Sequence, residues 1–175
     1  MRATGNFDQV KDVDPMVALT NETRQHIDHW AAKFPADRKR SALIQSLHAA
    51  QEQNDGYLTD KLIAAVAKYL DLPATWAYEV ASFYSMFSLE PVGRHDVAVC
   101  TNISCWLNGA EDMVSHCEKK LGIKLGESTS DGRVYLKREE ECLAGCCGAP
   151  MMVVDGHYHE KLTPEKIDQI LDELK

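Results

Sequence analysis

The stretch VCTNISCWLNG, residues 99–109, decides how this chain is interpreted, together with ECLAGCCGAPMMVV, residues 141–154. Each stretch carries two closely spaced cysteines, and together they give the pattern C-x4-C-x36-C-x3-C. Cys100 and Cys105 are called the first pair below, and Cys142 and Cys146 the second pair. Thiolates that converge from two loops hold soft metals or iron–sulfur clusters in proteins. The pattern therefore predicts a metal or iron–sulfur site shared by the two pairs.

The residues around the two pairs predict a small α+β domain. The apolar patterns predict strands over 96–100, 133–137, 151–154 and 157–161, and helices over 108–121 and after Thr163. The order β-α-β-β-β-α starts with a right-handed parallel crossover and is close to a thioredoxin-like core. Both pairs then follow neighbouring parallel strands, at whose carboxyl ends open α/β sheets place their ligand sites. Pro150, just before the third strand, is a candidate for a cis peptide bond.

In the first half of the chain the sequence pattern predicts helices and no strands. Residues 1–18 lack periodicity and are predicted to be a loose tail, and apolar residues then recur at helical spacing. The predicted helices cover about 20–34, 37–53, 60–70 and 73–87. A Pro- and Gly-containing linker follows at 89–93. We therefore expect a tail over 1–18, a helical domain over 19–90 and a thioredoxin-like domain over 91–175 that contains both cysteine pairs.

Composition excludes several classes of function. The formal net charge of -8 argues against nucleic-acid binding. The longest apolar runs fall short of the roughly 20 residues that a membrane span needs, so no direct membrane insertion is expected. The first residues contain acidic side chains and no apolar run, unlike a secretory signal. A cytoplasmic location follows as the expectation, and the reduced thiols there disfavour a disulfide framework.

The spacing leaves more than one kind of metal site open. Zinc is also bound by paired cysteines, although zinc ribbons usually show tighter C-x2-C knuckles. A four-iron cluster takes four cysteines as well. A Rieske centre would need two histidines, and neither cysteine loop contains one. A thioredoxin-type redox centre would need a C-x-x-C motif, which this sequence lacks.

Four motifs together carry a family resemblance. The stretches EVASFYSMF (79–87) and PVGRH (91–95), with the two cysteine stretches, resemble the 2Fe–2S subunit of respiratory NADH:quinone oxidoreductase, or complex I. These proteins are thioredoxin-like 2Fe–2S ferredoxins, known as the E subunit in bacteria and as flavoprotein subunit two in mitochondria. The resemblance covers nearly everything from about residue 20 onward. Related chains also serve NAD-linked formate dehydrogenases and hydrogenases, which are the alternative assignment.

The resemblance implies the cofactor, the ligands and the partners. It implies one 2Fe–2S cluster held by Cys100, Cys105, Cys142 and Cys146, and an accessory one-electron role. The flavin and NADH would bind to a partner subunit against which this family packs, with further peripheral-arm subunits nearby. The chain would be part of an enzyme on the cytoplasmic face of the inner membrane, but would not oxidise NADH alone. The hypothesis from a different class is a zinc-stabilised scaffold module without redox activity.

Other candidate residues receive simpler interpretations. Cys147 creates a second spacing, Cys142-x4-Cys147, but Cys146 is preferred as the ligand. Cys117 lies on a predicted amphipathic helix and is expected to be a structural thiol. The aromatic residues of SFYSMF are predicted either to pack in the core or to contact a partner. The histidines of the predicted last strand, at 157 and 159, are not expected to bind a metal.

Overall fold

The structure is a computed structural model, and it describes residues 10, 12–138 and 142–175. The chain divides into two compact units, Met1–Pro91 and Val92–Lys175, which are described separately below. The first unit is helical and the second contains one five-stranded sheet. None of the helices in the described residues is both long and apolar enough to cross a membrane.

The helical unit consists of five α-helices and one 3₁₀ segment. Their bounds are α1 Pro15–Ala18, α2 Asn21–Ala31, a 3₁₀ segment Ala36–Ala42, α3 Leu43–Glu52, α4 Asp60–Tyr69 and α5 Ala74–Phe83. The side chain of Thr20 caps α2 by accepting a hydrogen bond from Thr23 N, and Thr59 caps α4 by accepting one from Leu62 N. Both caps fall where the sequence predicted a helix to begin.

Helix α4 is the centre of the helical core. Six consecutive residues, Leu62–Ala67, are buried, because neighbouring helices cover α4 on several sides. A helix that is apolar nearly all round is buried in this way rather than laid on a surface. The small side chains of Ala64, Ala65 and Ala67 leave room for that close approach.

Two expectations for the helical unit need correction. The single helix predicted over 37–53 is instead a 3₁₀ segment, which non-helical backbone angles interrupt at Arg38, followed by α3. Part of the predicted loose tail is also packed. Val13 is buried, and α1 begins at Pro15 with the Asp14 side chain capping it. Residues 1–9 and 11 lie outside the described residues.

The second unit is an α+β fold around a mixed sheet, as predicted. Its elements are β1 His95–Val99, α6 Ile103–Leu107, α7 Ala110–Leu121, β2 Glu127–Ser128, β3 Val134–Leu136, β4 Met152–Val154, β5 His157–His159 and α8 Pro164–Glu173. The strand order is β2-β3-β1-β4-β5. Strand β1 pairs in parallel with β3 and antiparallel with β4. The predicted parallel pairing of the first two predicted strands, 96–100 and 133–137, is therefore confirmed.

The core of this unit lies between the sheet and helices α7 and α8. Apolar residues of the strands pack against Cys117 of α7 and against Ile167 and Leu171 of α8. Helix α7 ends at Leu121, and the next residue, Gly122, has the left-handed conformation that often closes a helix. The strand β2 and the helix α6 were not predicted. Both are too short for a periodic pattern to reveal.

The Ala149–Pro150 peptide bond is cis, as the sequence suggested. It stands directly before Met151, whose carbonyl oxygen accepts a hydrogen bond from Cys100 N at 3.1 Å. The segment before β4 is thereby tied to the end of β1. This places residues 149–151 beside the first cysteine pair.

Candidate metal centre

The first pair is buried at the carboxyl end of β1. Cys100 follows the last residue of β1, and α6 then turns the chain so that Cys105 faces back towards it. The two thiols hydrogen-bond to each other, and each residue is at most 2% exposed. The sequence placed this pair in a loop, whereas Cys105 is in fact held on a short helix. The first pair therefore has a rigid support.

The second pair lies in irregular structure and is exposed to solvent. The Sγ atoms of Cys142 and Cys146 are 3.7 Å apart, and both residues are exposed. Between them the chain reverses direction through Ala144, which has a positive φ of 57°. Cys146 then begins a single 3₁₀ turn that ends at Gly148. The second pair is therefore preformed by a tight turn and not by a helix or strand.

The two pairs meet at one edge of the sheet. The hydroxyl of Ser104, next to Cys105 on α6, donates a hydrogen bond to the carbonyl oxygen of Cys146 at 3.2 Å. The thiol of Cys146 also lies close enough to Cys100 and Cys105 to affect their charged forms electrostatically. Because β1 and β3 are parallel, the loops that follow them leave the same edge, as predicted.

The thiols of the two pairs occupy different electrostatic environments. Burial raises the pKa of the Cys105 thiol to about 11, and the hydrogen bond with Cys100 adds to this effect. Burial also acts to raise the pKa of Cys100. Hydrogen bonds from the backbone N–H groups of Leu143 and Asn102, together with those from the Cys105 thiol and the Asn102 side chain, outweigh burial and leave the pKa of Cys100 below its ordinary value. The pKa of Cys146 is raised chiefly by the hydrogen bond with Cys142.

Backbone N–H groups point at the buried sulfurs. Besides the two donors to Cys100, the N–H of Met151 donates to the Cys105 sulfur. Such hydrogen bonds stabilise thiolates and tune the potential of iron–sulfur clusters. The first pair also packs in a small apolar cluster with Ala110 and Met151, which excludes water from one side. The site is therefore hydrogen-bonded and dry on one side and open to solvent on the other.

Met151 links the two pairs, a role that was not predicted from the sequence. Its backbone contacts both residues of the first pair, as described above. Its side chain lies against Gly145, where an added Cβ would come within 2.7 Å of the Met151 Sδ and Cε atoms. Gly145 lies between the two cysteines of the second pair. The only sequence signal for this role was the position of Met151 directly after Pro150.

The remaining cysteines lie apart from this arrangement. Cys117 is fully buried in the core between α7 and the sheet, and burial raises its pKa to about 12. It is a structural thiol, as expected. Cys147 is exposed, and the thiol that interacts with Cys142 and the first pair is that of Cys146. The preference for Cys146 as the ligand stays a prediction that this geometry supports.

The other candidate side chains also have defined positions. Phe87 is buried in the helical core, whereas Phe83 is 80% exposed, so the SFYSMF stretch is divided between core and surface. His157 and His159 occupy an edge strand. Across the described residues, no three or more His, Cys, Asp or Glu side chains are grouped around one point as a mononuclear metal site would require. The four thiols are arranged as two pairs.

Comparison with known proteins identifies the family. The family model for thioredoxin-like 2Fe-2S ferredoxins matches residues 27–175. The chain belongs to the thioredoxin-like 2Fe–2S ferredoxin family. The resemblance stated from the sequence is therefore confirmed, and so is the expected cofactor, which is one 2Fe–2S cluster. Two thiols per iron is the coordination that such a cluster needs. Two preformed thiol pairs with N–H donors beside the buried pair fit that requirement.

Curated relatives of this ferredoxin share most of its length. The E subunit of NADH-quinone oxidoreductase from Rickettsia felis is 48% identical over 141 residues, which are 81% of this chain and 84% of that protein. The mitochondrial NADH dehydrogenase flavoprotein 2 of Dictyostelium discoideum is 38% identical over 157 residues, which are 90% of this chain and 63% of that protein.

A solved structure shows a similar fold. The NAD+-reducing NiFe-hydrogenase in the air-oxidized state superposes with a TM-score of 0.61 at 22% identity. The match covers 73% of this ferredoxin but only 22% of the hydrogenase chain. At that identity the likeness concerns the fold alone.

The outer surface of α6 is a feature that was not predicted from the sequence. While Cys105 faces inward, Ile103, Trp106 and Leu107 are exposed on the outside of the helix, and we call these three residues the α6 patch. The signal was present as apolar residues at positions i, i+3 and i+4. Because the segment was interpreted as a cysteine loop, neither the helix nor its outer face was expected.

Proposed function

We propose that this chain is the 2Fe–2S electron-transfer subunit of an NADH:quinone oxidoreductase, packed against the flavin- and NADH-binding subunit. The observation that carries the proposal is the convergence of two thiol pairs at the carboxyl edge of β1 and β3. The names of the curated relatives support the assignment to this complex. In this role the chain is part of an oxidoreductase and does not oxidise NADH by itself.

In this proposal the first and second pairs are the cluster ligands. The ligands are Cys100, Cys105, Cys142 and Cys146. A 2Fe–2S cluster supplies a site that accepts and returns one electron at a time without proton transfer to substrate. The first pair anchors it from the buried side, and the N–H groups of Leu143, Asn102 and Met151 stabilise the sulfur charge. No general acid, base or nucleophile is required.

The exposed side of the centre is where a redox partner would dock. The second pair is open to solvent, and the α6 patch lies on the helix that Ser104 ties to Cys146. Protein interfaces have apolar, aromatic-rich centres, and Trp residues are frequent energetic hot spots in them. A partner that covers the α6 patch would bring its own redox group close to the second pair. We assign this position to the flavin-binding subunit.

Metal and sulfide analysis tests the cofactor assignment directly. The chain would be purified anaerobically, with iron and acid-labile sulfide counted, and EPR spectra recorded before and after dithionite. We expect two irons and two sulfides per chain, no signal when oxidised and a rhombic or axial signal when reduced. Zinc without sulfide would instead make the chain a structural module and remove the redox function.

Co-purification tests the docking assignment. The chain would be co-expressed with the flavin- and NADH-binding subunit, as wild type and as the Trp106→Glu variant. We expect a 1:1 complex for the wild type and its loss in Trp106→Glu, because a charge would be buried without a partner. Tyr158→Glu is the control, since Tyr158 is also an exposed aromatic but lies on β5. Equal loss in both variants would contradict the assignment to α6.

Location and domain independence are part of the same proposal. We propose that the chain is attached peripherally to the cytoplasmic face of the inner membrane through its partner subunits.

We also propose that the helical domain over 19–90 and the 2Fe–2S domain over 91–175 fold as separate domains. Limited proteolysis near residues 89–93 tests this, and two protected fragments are the expected result.

A further inference from the structure

The helical unit contains a cleft that the electron-transfer role does not use. It lies where the 3₁₀ segment Ala36–Ala42 passes the end of α4 and the first turn of α5, and its volume is about 740 Å³. Sites for small molecules usually have volumes of roughly 300–1,000 Å³. We call it the Trp76 cleft and define it by Asp37, Arg38, Lys39, Arg40, Asp71 and Trp76, which line it.

Three consecutive cations line the Trp76 cleft in a chain whose net charge is -8. Arg38 is 3.3 Å from the carboxylate of Asp37, but both side chains are more than 70% exposed, so this ion pair is weak. Lys39 and Arg40 form no ion pair with a carboxylate among the described residues. The cleft therefore offers positive charge that is available to an anionic ligand.

An indole ring provides a stacking surface in the same cleft. Trp76 is 39% exposed, and the guanidinium of Arg40 lies 4.4 Å from its ring centroid. A guanidinium plane on an indole presents a flat, cationic face. Planar bases stack both on aromatic rings and on guanidinium planes. The cleft can therefore contact a planar ring and an anion at adjacent positions.

The two carboxylates narrow the class of ligand. Asp37 and Asp71 also line the cleft, so a ligand made only of negative groups, such as an acidic peptide, would be repelled by them. A ligand that has hydroxyl or amino donors besides its anionic group can pair with both kinds of charge. The half-buried Leu72 adds apolar surface. A nucleotide combines a planar base, hydroxyl and amino donors, and phosphate.

We propose that the Trp76 cleft binds a nucleoside phosphate, with the phosphates at Lys39 and Arg40 and the base against Trp76. This site lies entirely within the helical unit and is separate from the metal centre in sequence and chemistry. It does not depend on the electron-transfer proposal, because the cluster ligands are all in the second unit.

Isothermal titration calorimetry of the full chain with its cluster bound tests the proposal, using ADP, adenosine and inorganic phosphate as probes. We expect saturable 1:1 binding of ADP with a Kd below about 1 mM, and much weaker binding of either half alone. Arg40→Gln and Lys39→Gln should each weaken ADP binding roughly five- to tenfold. Trp76→Leu should weaken it by a similar factor.

A second cation–aromatic pair in the same unit provides the matched control. Lys33 Nζ lies 3.4 Å from the ring centroid of Trp30, outside the cleft. Lys33→Gln removes the same charge as Arg40→Gln and should leave ADP binding unchanged. Thermal unfolding of each variant verifies that it is folded. If Trp76→Leu does not fold, the exposed Lys39→Gln and Arg40→Gln variants still decide the question.

Three outcomes would overturn the proposal. The first is no saturable heat with ADP up to about 10 mM, a concentration at which even a weak site would fill. The second is equal affinity for phosphate and ADP, which would make the cleft a simple anion site. The third is an equal effect of Lys33→Gln and Arg40→Gln on ADP binding.

Discussion

The two cysteine pairs differ in how the fold supports them. The first pair is buried, with Cys100 at the end of a central strand and Cys105 on a helix. The second pair is exposed and depends on a turn through Ala144 and Gly145. The difference shows that one metal site can combine a rigid, dry anchor with a loop that reaches the surface. The first pair holds the metal site from the buried side, whereas the second pair also reaches the surface where a partner can make contact.

The largest expected effect comes from removing a thiol of the rigid anchor. Cys105→Ser should lose the cluster, because a buried hydroxyl is a poor iron ligand and solvent cannot replace the missing thiolate. Iron and sulfide content and the reduced EPR signal measure the loss. Cys117→Ser is the matched control, since Cys117 is equally buried but lies in the α7 core. It should retain the cluster and lose about 1–2 kcal/mol of unfolding free energy.

A change in the exposed loop should act less completely. Cys146→Ser should lose the cluster or alter its EPR and visible spectra, because water or the serine oxygen can reach the vacated position. Cys147→Ser should leave the spectra intact, because the Cys146 thiol lies 3.7 Å from that of Cys142 and interacts electrostatically with the first pair. If Cys147→Ser altered the spectra and Cys146→Ser did not, Cys147 would be the cluster ligand in place of Cys146.

A smaller effect should follow from crowding the contact that joins the two pairs. In Gly145→Ala the new Cβ would come within 2.7 Å of the Met151 thioether, which is flexible enough to move partly aside. We expect the cluster to form in this variant but to be lost in air faster than in the wild type. The unfolding free energy should fall by about 1–2 kcal/mol.

A double-mutant cycle isolates this contact between Gly145 and Met151. If the new methyl group is crowded by Met151, Gly145→Ala should lower the unfolding free energy less in a Met151→Ala background than in the wild type. Additive costs would show that the effect of Gly145→Ala comes from the turn itself and not from the link between the pairs.

The smallest effect concerns the opposite end of β1. A hydrogen bond to Asp155 at 2.7 Å raises the pKa of His95 above its ordinary value of 6.5. The contribution of the protonated His95–Asp155 pair to the stability of the fold is therefore complete below pH 6.5, and it is lost as the pH rises through the raised pKa of His95. Asp155→Asn keeps the bond to Asp96 N but removes the charge. Asp155→Asn should lower the unfolding free energy by no more than about 1 kcal/mol at pH 6, because the side chains of His95 and Asp155 are both partly exposed.

Thermal unfolding at several pH values measures this contribution of His95. The difference in Tm between the wild type and Asp155→Asn should shrink between pH 6 and pH 8.5. Cluster content should be the same in both proteins, because Asp155 is far along the strand from the first pair. A difference that grows with pH would show that the pKa of His95 is lowered and not raised.

Periodic patterns predicted the longer elements well. Helix α4 with its Thr59 cap, the α7 helix with its Gly122 end and the order of the main strands all follow from apolar spacing and caps. The α6 helix and the 3₁₀ break at Arg38 were not predicted. Local sequence preferences over fewer than two turns are weak, and tertiary packing decides the conformation there.

Residue types and their spacing were enough to predict the family, the cofactor and the parallel strands that bring two distant cysteine loops to one edge. Other features emerge only in the folded chain. They are the burial of the first pair, the exposure of the second pair, the contact of Met151 with both, and the solvent-facing α6 patch and Trp76 cleft. Burial and contact arise from residues far apart in the chain, so no local pattern contains them.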